Sequence, residues 1–219
     1  MKKKLILVGI LCLGLIRCSN TQPKTNNNLE TITETTASET IKESESETQE
    51  VIEKRENTTF RNAIWGDDIE TVKRYETEIK LEEADGSLMG EAKIAGLDSY
   101  VIYMFDSNGK LYQGLYGIKT KEGVGEGIYI SDFNNLKENL TELYGTPISD
   151  EILPLTSQSQ IDYTGPENSL KFGYTAYRTI WNTNSTEMML GMQSQDYKVS
   201  TVLTYTDINY EEDLSESGL

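Results

Sequence analysis

The sequence predicts an α+β domain in which a helix followed by an antiparallel β-meander occurs twice, with the helices packed on one face of the sheet. Three observations carry this expectation. Two segments, beginning near Gly66 and near Ser131, set apolar residues at helical spacing behind a capping side chain. Each is followed by short β-branched and aromatic runs divided by turn residues. Every Phe, Trp and Tyr of the 219-residue chain falls between Phe60 and Tyr210, which marks residues 60–210 as one domain.

The first helix is expected to start in Gly66-Asp67-Asp68-Ile69-Glu70, with Asp67 as N-cap and Glu70 as its capping-box partner. Its stripe runs through Ile69, Val72 and Tyr75 toward Ile79. Residues 100–105 then read as a strand, Asp106-Ser107-Asn108-Gly109 as a tight turn suited to positive φ, and residues 111–118 as the returning strand. Gly123-Val124-Gly125-Glu126-Gly127 reads as a flexible turn before a strand-like Ile128-Tyr129-Ile130, because it lacks the Gly-Lys-Ser/Thr of a phosphate loop. The second helix starts at Ser131-Asp132, carries Phe133, Leu136, Leu140, Leu143 and Tyr144 at helical spacing, and ends at Gly145 with Pro147 beyond it. Strands are expected at residues 170–175, 177–183, 186–193 and 197–205. In the last, Val199, Thr201, Leu203 and Tyr205 alternate with polar Lys198, Ser200 and Thr204, with Val202 breaking the pattern, which reads as one buried and one wet face.

Upstream of this domain the chain changes character. Lys2, Lys3 and Lys4 precede an uncharged apolar run at residues 5–16, too short for a membrane span and of the length of a signal-peptide core. It ends in Leu15-Ile16-Arg17-Cys18, which resembles the lipobox of bacterial lipoproteins. Cys18 matches the acceptor and Leu15 the apolar position three before it, whereas Arg17 stands where that family carries Gly, Ala or Ser. The resemblance implies cleavage of residues 1–17, a diacylglyceryl group on Cys18 and a chain held on the outer side of a membrane. Residues 18–59 follow as the lipidated cysteine and a Thr/Glu/Ser-rich tether without aromatic residues or glycine. That stretch offers too little apolar surface to offset its ordering entropy. The nine residues 211–219 form an acidic tail.

Composition excludes much chemistry. There is no histidine, so imidazole-based triads, proton shuttles and the common zinc sites have no ligands or bases. The two cysteines, Cys12 and Cys18, both precede the domain, which therefore holds neither a disulfide nor a thiol nucleophile. The formal charge is -16, with 36 acidic and 20 basic residues. Loss of residues 1–17 would remove four of those bases and leave a surface that repels nucleic acid and anionic lipid alike. Asp67 and Asp68 are paired carboxylates, but neighbours at a helix start serve the helix end by default.

The opening Phe60-Arg61-Asn62-Ala63-Ile64-Trp65-Gly66-Asp67-Asp68-Ile69, with Val72-Lys73, resembles that of small exported helix-plus-meander domains. That group is similar to β-lactamase inhibitory protein and to the lipoprotein subunit of the outer-membrane assembly machine. Tyr144-Gly145-Thr146-Pro147, Trp181 and Tyr205-Thr206-Asp207 fit its later half. The resemblance implies a protein-binding or assembly scaffold and brings no catalytic residue with it. Trp65, Gly66 and Asp67 are then a structural motif. Tyr112 and Tyr116, on the strand side opposite Leu111 and Leu115, are the candidate binding surface if the leucines face the helices. The expected function is a lipid-anchored, non-enzymatic envelope protein without metal or cofactor, bound to the membrane through Cys18 and to a protein or envelope component through its domain. A carboxylate-dependent glycan hydrolase and an extracellular sensor accessory protein are the alternatives.

Overall fold

The computed structural model describes residues 55–121 and 123–210. They fold into three helices and eight strands: α1 (Ile69–Tyr75), β1 (Glu82–Ala84), β2 (Ser87–Ile94), β3 (Leu97–Phe105), β4 (Leu111–Ile118), α2 (Glu126–Tyr144), β5 (Ser149–Pro154), α3 (Gln158–Lys171), β6 (Thr175–Asn182), β7 (Thr186–Gln195) and β8 (Lys198–Asp207). The class is α+β, and all eight strands join one antiparallel sheet in the order β1-β2-β3-β4-β8-β7-β6-β5. Two four-stranded meanders thus meet at the β4–β8 pair.

Turn chemistry sets the hairpins. Asp85-Gly86, Ala95-Gly96 and Asp196-Tyr197 each place two successive residues at positive φ between paired strand ends, the backbone that matches strand twist across a two-residue loop. The expected turn at Asp106-Ser107-Asn108-Gly109 forms, with the Gly109 N–H donating to the Asp106 carbonyl at 2.9 Å.

Side chains along the strands alternate in burial, as Thr186, Met188, Leu190 and Met192 of β7 and Val199, Thr201, Leu203 and Tyr205 of β8 illustrate. Their apolar members join Val72 of α1, Phe133, Leu136 and Leu140 of α2 and Leu170 of α3 in one core. Phe60, 2 % exposed, is the aromatic hub, with ring centroids of Tyr103, Tyr116 and Tyr205 at 5.1, 5.4 and 5.2 Å. Gly114 of β4 makes room for it: a Cβ at Gly114 would fall 2.1 Å from the Phe60 ring.

Several expectations need correction. The N-cap of α1 is Asp68, whose carboxylate accepts from the Thr71 N–H at 2.8 Å, so Asp67 is not the cap and Glu70 closes no capping box. That helix stops at Tyr75. Gly125-Glu126-Gly127-Ile128-Tyr129-Ile130 is not turn and strand but the start of α2, where helical packing of Tyr129 and Ile130 against the core outweighs the cost of Gly127. Leu143, in the expected buried stripe, is 74 % exposed. Residues 170 and 171 end α3 instead of opening a strand; α3 is broken at Gly165, whose φ is 72°. Arg55 and Thr59, assigned to the tether by composition, are bonded to the domain: Arg55 pairs with Asp67, and Thr59 Oγ1 accepts from the Trp65 N–H at 2.9 Å.

Candidate functional site

Cys18 and the expected tail at residues 211–219 lie outside the described residues. Trp65-Gly66-Asp67 is a brace between the chain entry and the sheet. Gly66, at φ +87°, donates its N–H to the Leu111 carbonyl at 2.8 Å, and Leu111 returns the bond to the Asp67 carbonyl at 2.8 Å. The Asp67 carboxylate takes a bidentate pair from Arg55, at 2.5 and 3.1 Å, and the Ile64 N–H at 2.8 Å. Trp65 is half-buried, lies parallel to the Phe60 ring and donates its indole N–H to Thr186 Oγ1 at 2.9 Å, which ties the motif to β7.

Beneath it lies a closed polar network. The Glu76 carboxylate, 4 % exposed as a residue, accepts from Arg61 Nε and Nη2 at 2.8 and 3.1 Å and from the Tyr103 hydroxyl at 2.5 Å. Burial pushes the Glu76 carboxyl up, and the hydrogen bonds from Arg61 and Tyr103 outweigh it, so the group sits below its ordinary value. Burial and the Glu76 carboxylate together raise the Tyr103 phenol. With both oxygens occupied by partners inside the fold, this carboxylate braces the structure and has no lone pair aimed at a substrate.

The two expected surface tyrosines part company. A β-bulge between Met104 and Phe105 pairs Gln113 with Met104 but Leu111 with Phe105, leaving Tyr112 as the extra residue. The bulge reverses the alternation, so Leu111 and Tyr116 both face the core, at 1 and 7 % exposure. Tyr116 is therefore not a binding-surface residue; its hydroxyl accepts from Arg61 Nη1 at 3.4 Å. Tyr112 is half-buried and stacks on Tyr210, with centroids 4.0 Å apart.

What the register assembles instead is the second face of the sheet. Cross-strand pairing lines up Met89, Ile102, Leu115, Thr204, Met189 and Ile180 in one row over β2, β3, β4, β8, β7 and β6. At one strand spacing of about 4.8 Å each, this row is about 24 Å long. Its members are half-buried apart from Ile102, 9 % exposed, and none belongs to the core cluster. The neighbouring row reads Glu91, Tyr100, Gly117, Val202, Gly191, Arg178 and Glu151. Ion pairs close its two ends, Lys119 to Glu91 at 2.7 Å and Arg178 to Glu151 at 2.6 Å, and the Lys119 ammonium lies 4.5 Å from the Tyr100 ring centre. Sequence reading missed this face because β2 was not recognised and the bulge shifted the parity of β4.

Among the described residues, no group of three or more His, Cys, Asp or Glu is placed to hold a metal ion, and no helix is long and apolar enough to cross a membrane. No family model, curated protein or solved structure matches the chain.

Proposed function

We propose that this chain is a lipid-anchored cell-envelope protein, held outside the cytoplasm by acylated Cys18, whose domain binds a protein or envelope component without catalysing a reaction. In this reading the two meanders are copies of one helix-plus-strand unit. Their helices cover one sheet face and leave the other for the partner, while residues between Cys18 and the domain act as a spacer. The observation that carries it is the six-strand row from Met89 to Ile180 outside the core cluster, a broad and mostly apolar surface of the kind recognition uses. The acidic surface supports a partner other than nucleic acid.

The test is photo-crosslinking in intact cells from a benzophenone side chain at Thr204, in the centre of the row, against one at Glu138 on α2. One discrete adduct from Thr204 and none from Glu138 is the expected result. Equal patterns from both positions would refute the assignment of the face. Detergent partitioning and intact mass of Cys18→Ser test the anchor: a variant that stays membrane-bound with no lost lipid mass refutes it.

A further inference from the structure

Four glycines stand inside strands, where glycine weakens a sheet and needs a reason: Gly90, Gly114, Gly117 and Gly191. Two have one within the fold. A Cβ on Gly114 would enter the Phe60 ring, and one on Gly90 would meet the Lys80 carbonyl oxygen at 2.8 Å. The other two do not. Among the described residues, no heavy atom beyond the glycine itself and its two chain neighbours lies within 4 Å of where a Cβ on Gly117 or Gly191 would sit, and neither residue has positive φ. Both lie in the same cross-strand row, on either side of Val202. They belong to the sheet face that lacks the core cluster.

The geometry points to Gly117 and Gly191 as the floors of two recesses that admit side chains of a partner protein, an inference that rests on the binding role proposed for this face. The first recess is bounded across the sheet by Tyr100 and Val202 and along β4 by Leu115 and Lys119. The second is bounded by Val202 and Arg178 and along β7 by Met189 and Gln193. Their floors are two strand spacings, about 10 Å, apart. Each recess has two apolar walls, Leu115 and Val202 in the first and Met189 and Val202 in the second, and one cationic edge already paired with a glutamate, so the fitting group is planar and apolar, an aromatic ring that covers the bare glycine backbone. Between Arg55 and Tyr210 the chain carries 24 acids and 13 bases. A basic partner surface around the two rings is therefore favoured, because an acidic one would meet like charge on approach and a neutral one would gain no attraction. The occupant is a protein surface that presents two aromatic side chains about 10 Å apart within a basic surround.

The probe is the peptide amide Lys-Trp-Ser-Ser-Trp-Lys, whose indoles lie on one side about 9 Å apart in a polyproline II conformation, titrated into the isotope-labelled full chain by NMR. Glu-flanked and Trp-to-Ala peptides are the controls. Expected are shifts centred on Gly117, Gly191 and Val202, and binding weakened about tenfold by either control. Gly117→Ala/Gly191→Ala is expected to melt at or above the wild-type temperature, since alanine fits open space at ordinary φ, and to bind the peptide about tenfold more weakly. The bulkier Gly117→Val/Gly191→Val pair abolishes binding. An alanine pair that melts lower, or that binds like the wild type, overturns the inference, as do shifts centred on the exposed Phe172 and Tyr197 instead. A cellular partner that crosslinks at Thr204 with equal yield in wild type and alanine pair would overturn the recesses while the binding role stands.

Discussion

Glu76→Gln removes one charge from a site where that charge has four donors. The wild-type carboxylate is nearly inaccessible, with a side chain 2 % exposed against 14 % for Arg61. It accepts the Arg61 fork at 2.8 and 3.1 Å, the Tyr103 hydroxyl at 2.5 Å and Asn62 Nδ2 at 3.4 Å. Glutamine keeps the volume but turns an amide NH2 toward a guanidinium and leaves that cation only the solvent-exposed Glu78 carboxylate, 3.3 Å from Nη2. Breaking a buried pair from one side costs about 3–5 kcal/mol, a large share of the roughly 5–15 kcal/mol that holds a domain of this size. Arg61→Met/Glu76→Met removes both charges and is expected to lose less than the sum of the single changes by about 2 kcal/mol or more. Urea unfolding followed by tryptophan fluorescence reads Glu76→Gln and the four proteins of the cycle: wild type, Arg61→Met, Glu76→Met and the pair. A Glu76→Gln cost below about 1 kcal/mol, or simple additivity, would refute the argument. The pH dependence has a definite sign. In the fold the carboxyl sits below its ordinary value near 4.5, so its stabilisation is complete above that value and drains away as pH falls through the lower folded value. The difference between wild type and Glu76→Gln should be flat from about pH 5 to 8 and shrink only in acid.

Gly114→Ala, with its Cβ driven into the Phe60 ring, should cost at least about 2 kcal/mol by thermal melting, in contrast to the same change at Gly117. Trp65→Ala should cost about 2–3 kcal/mol, less than for a fully buried indole, through the lost Phe60 stack and Thr186 bond. Asp68→Asn should cost under about 1 kcal/mol because asparagine caps equally well; the reverse ranking in urea melts would mean that Trp65 does not brace the fold. A chain that begins at Arg55 should melt like the full chain, and one that begins at Phe60 should lose about 1–2 kcal/mol with the Arg55–Asp67 pair and the Thr59 bond.

Legibility in the sequence followed the strength of the local signal. The hairpin at Asp106-Ser107-Asn108-Gly109 and the strands at β4, β6, β7 and β8 were readable because turn chemistry and alternation are local. The C-terminal end of α2 at Gly145 was readable for the same reason, whereas its start was hidden by Gly125 and Gly127, neither of which looks like a helix opening. Strand β2 was missed although Asp85-Gly86 and Ala95-Gly96 bracket it, since Glu91 and Lys93 dilute its apolar pattern. Helix α3 buries only Ser169 and Leu170 and so carries no periodic stripe. The placement of Tyr112 and Tyr116 turned on a single bulge residue. A one-residue insertion flips every side chain beyond it, and no composition or spacing within β4 announces where a pairing partner will slip.

The place of β8 in the sheet governs when the fold can form. It is the last strand among the described residues yet lies in the sheet interior between β4 and β7. Its Thr206 pairs with Gln113, 93 residues earlier. Until residues 198–207 are available, β4 and β7 each present an unpaired edge and the two meanders lack the strand that pairs with both, so closure is a late, long-range step of high entropic cost. If the chain crosses a membrane N-terminus first, its fastening strand comes through after the other seven. Its two halves would stay separable throughout transit, and the sheet would lock only on the far side.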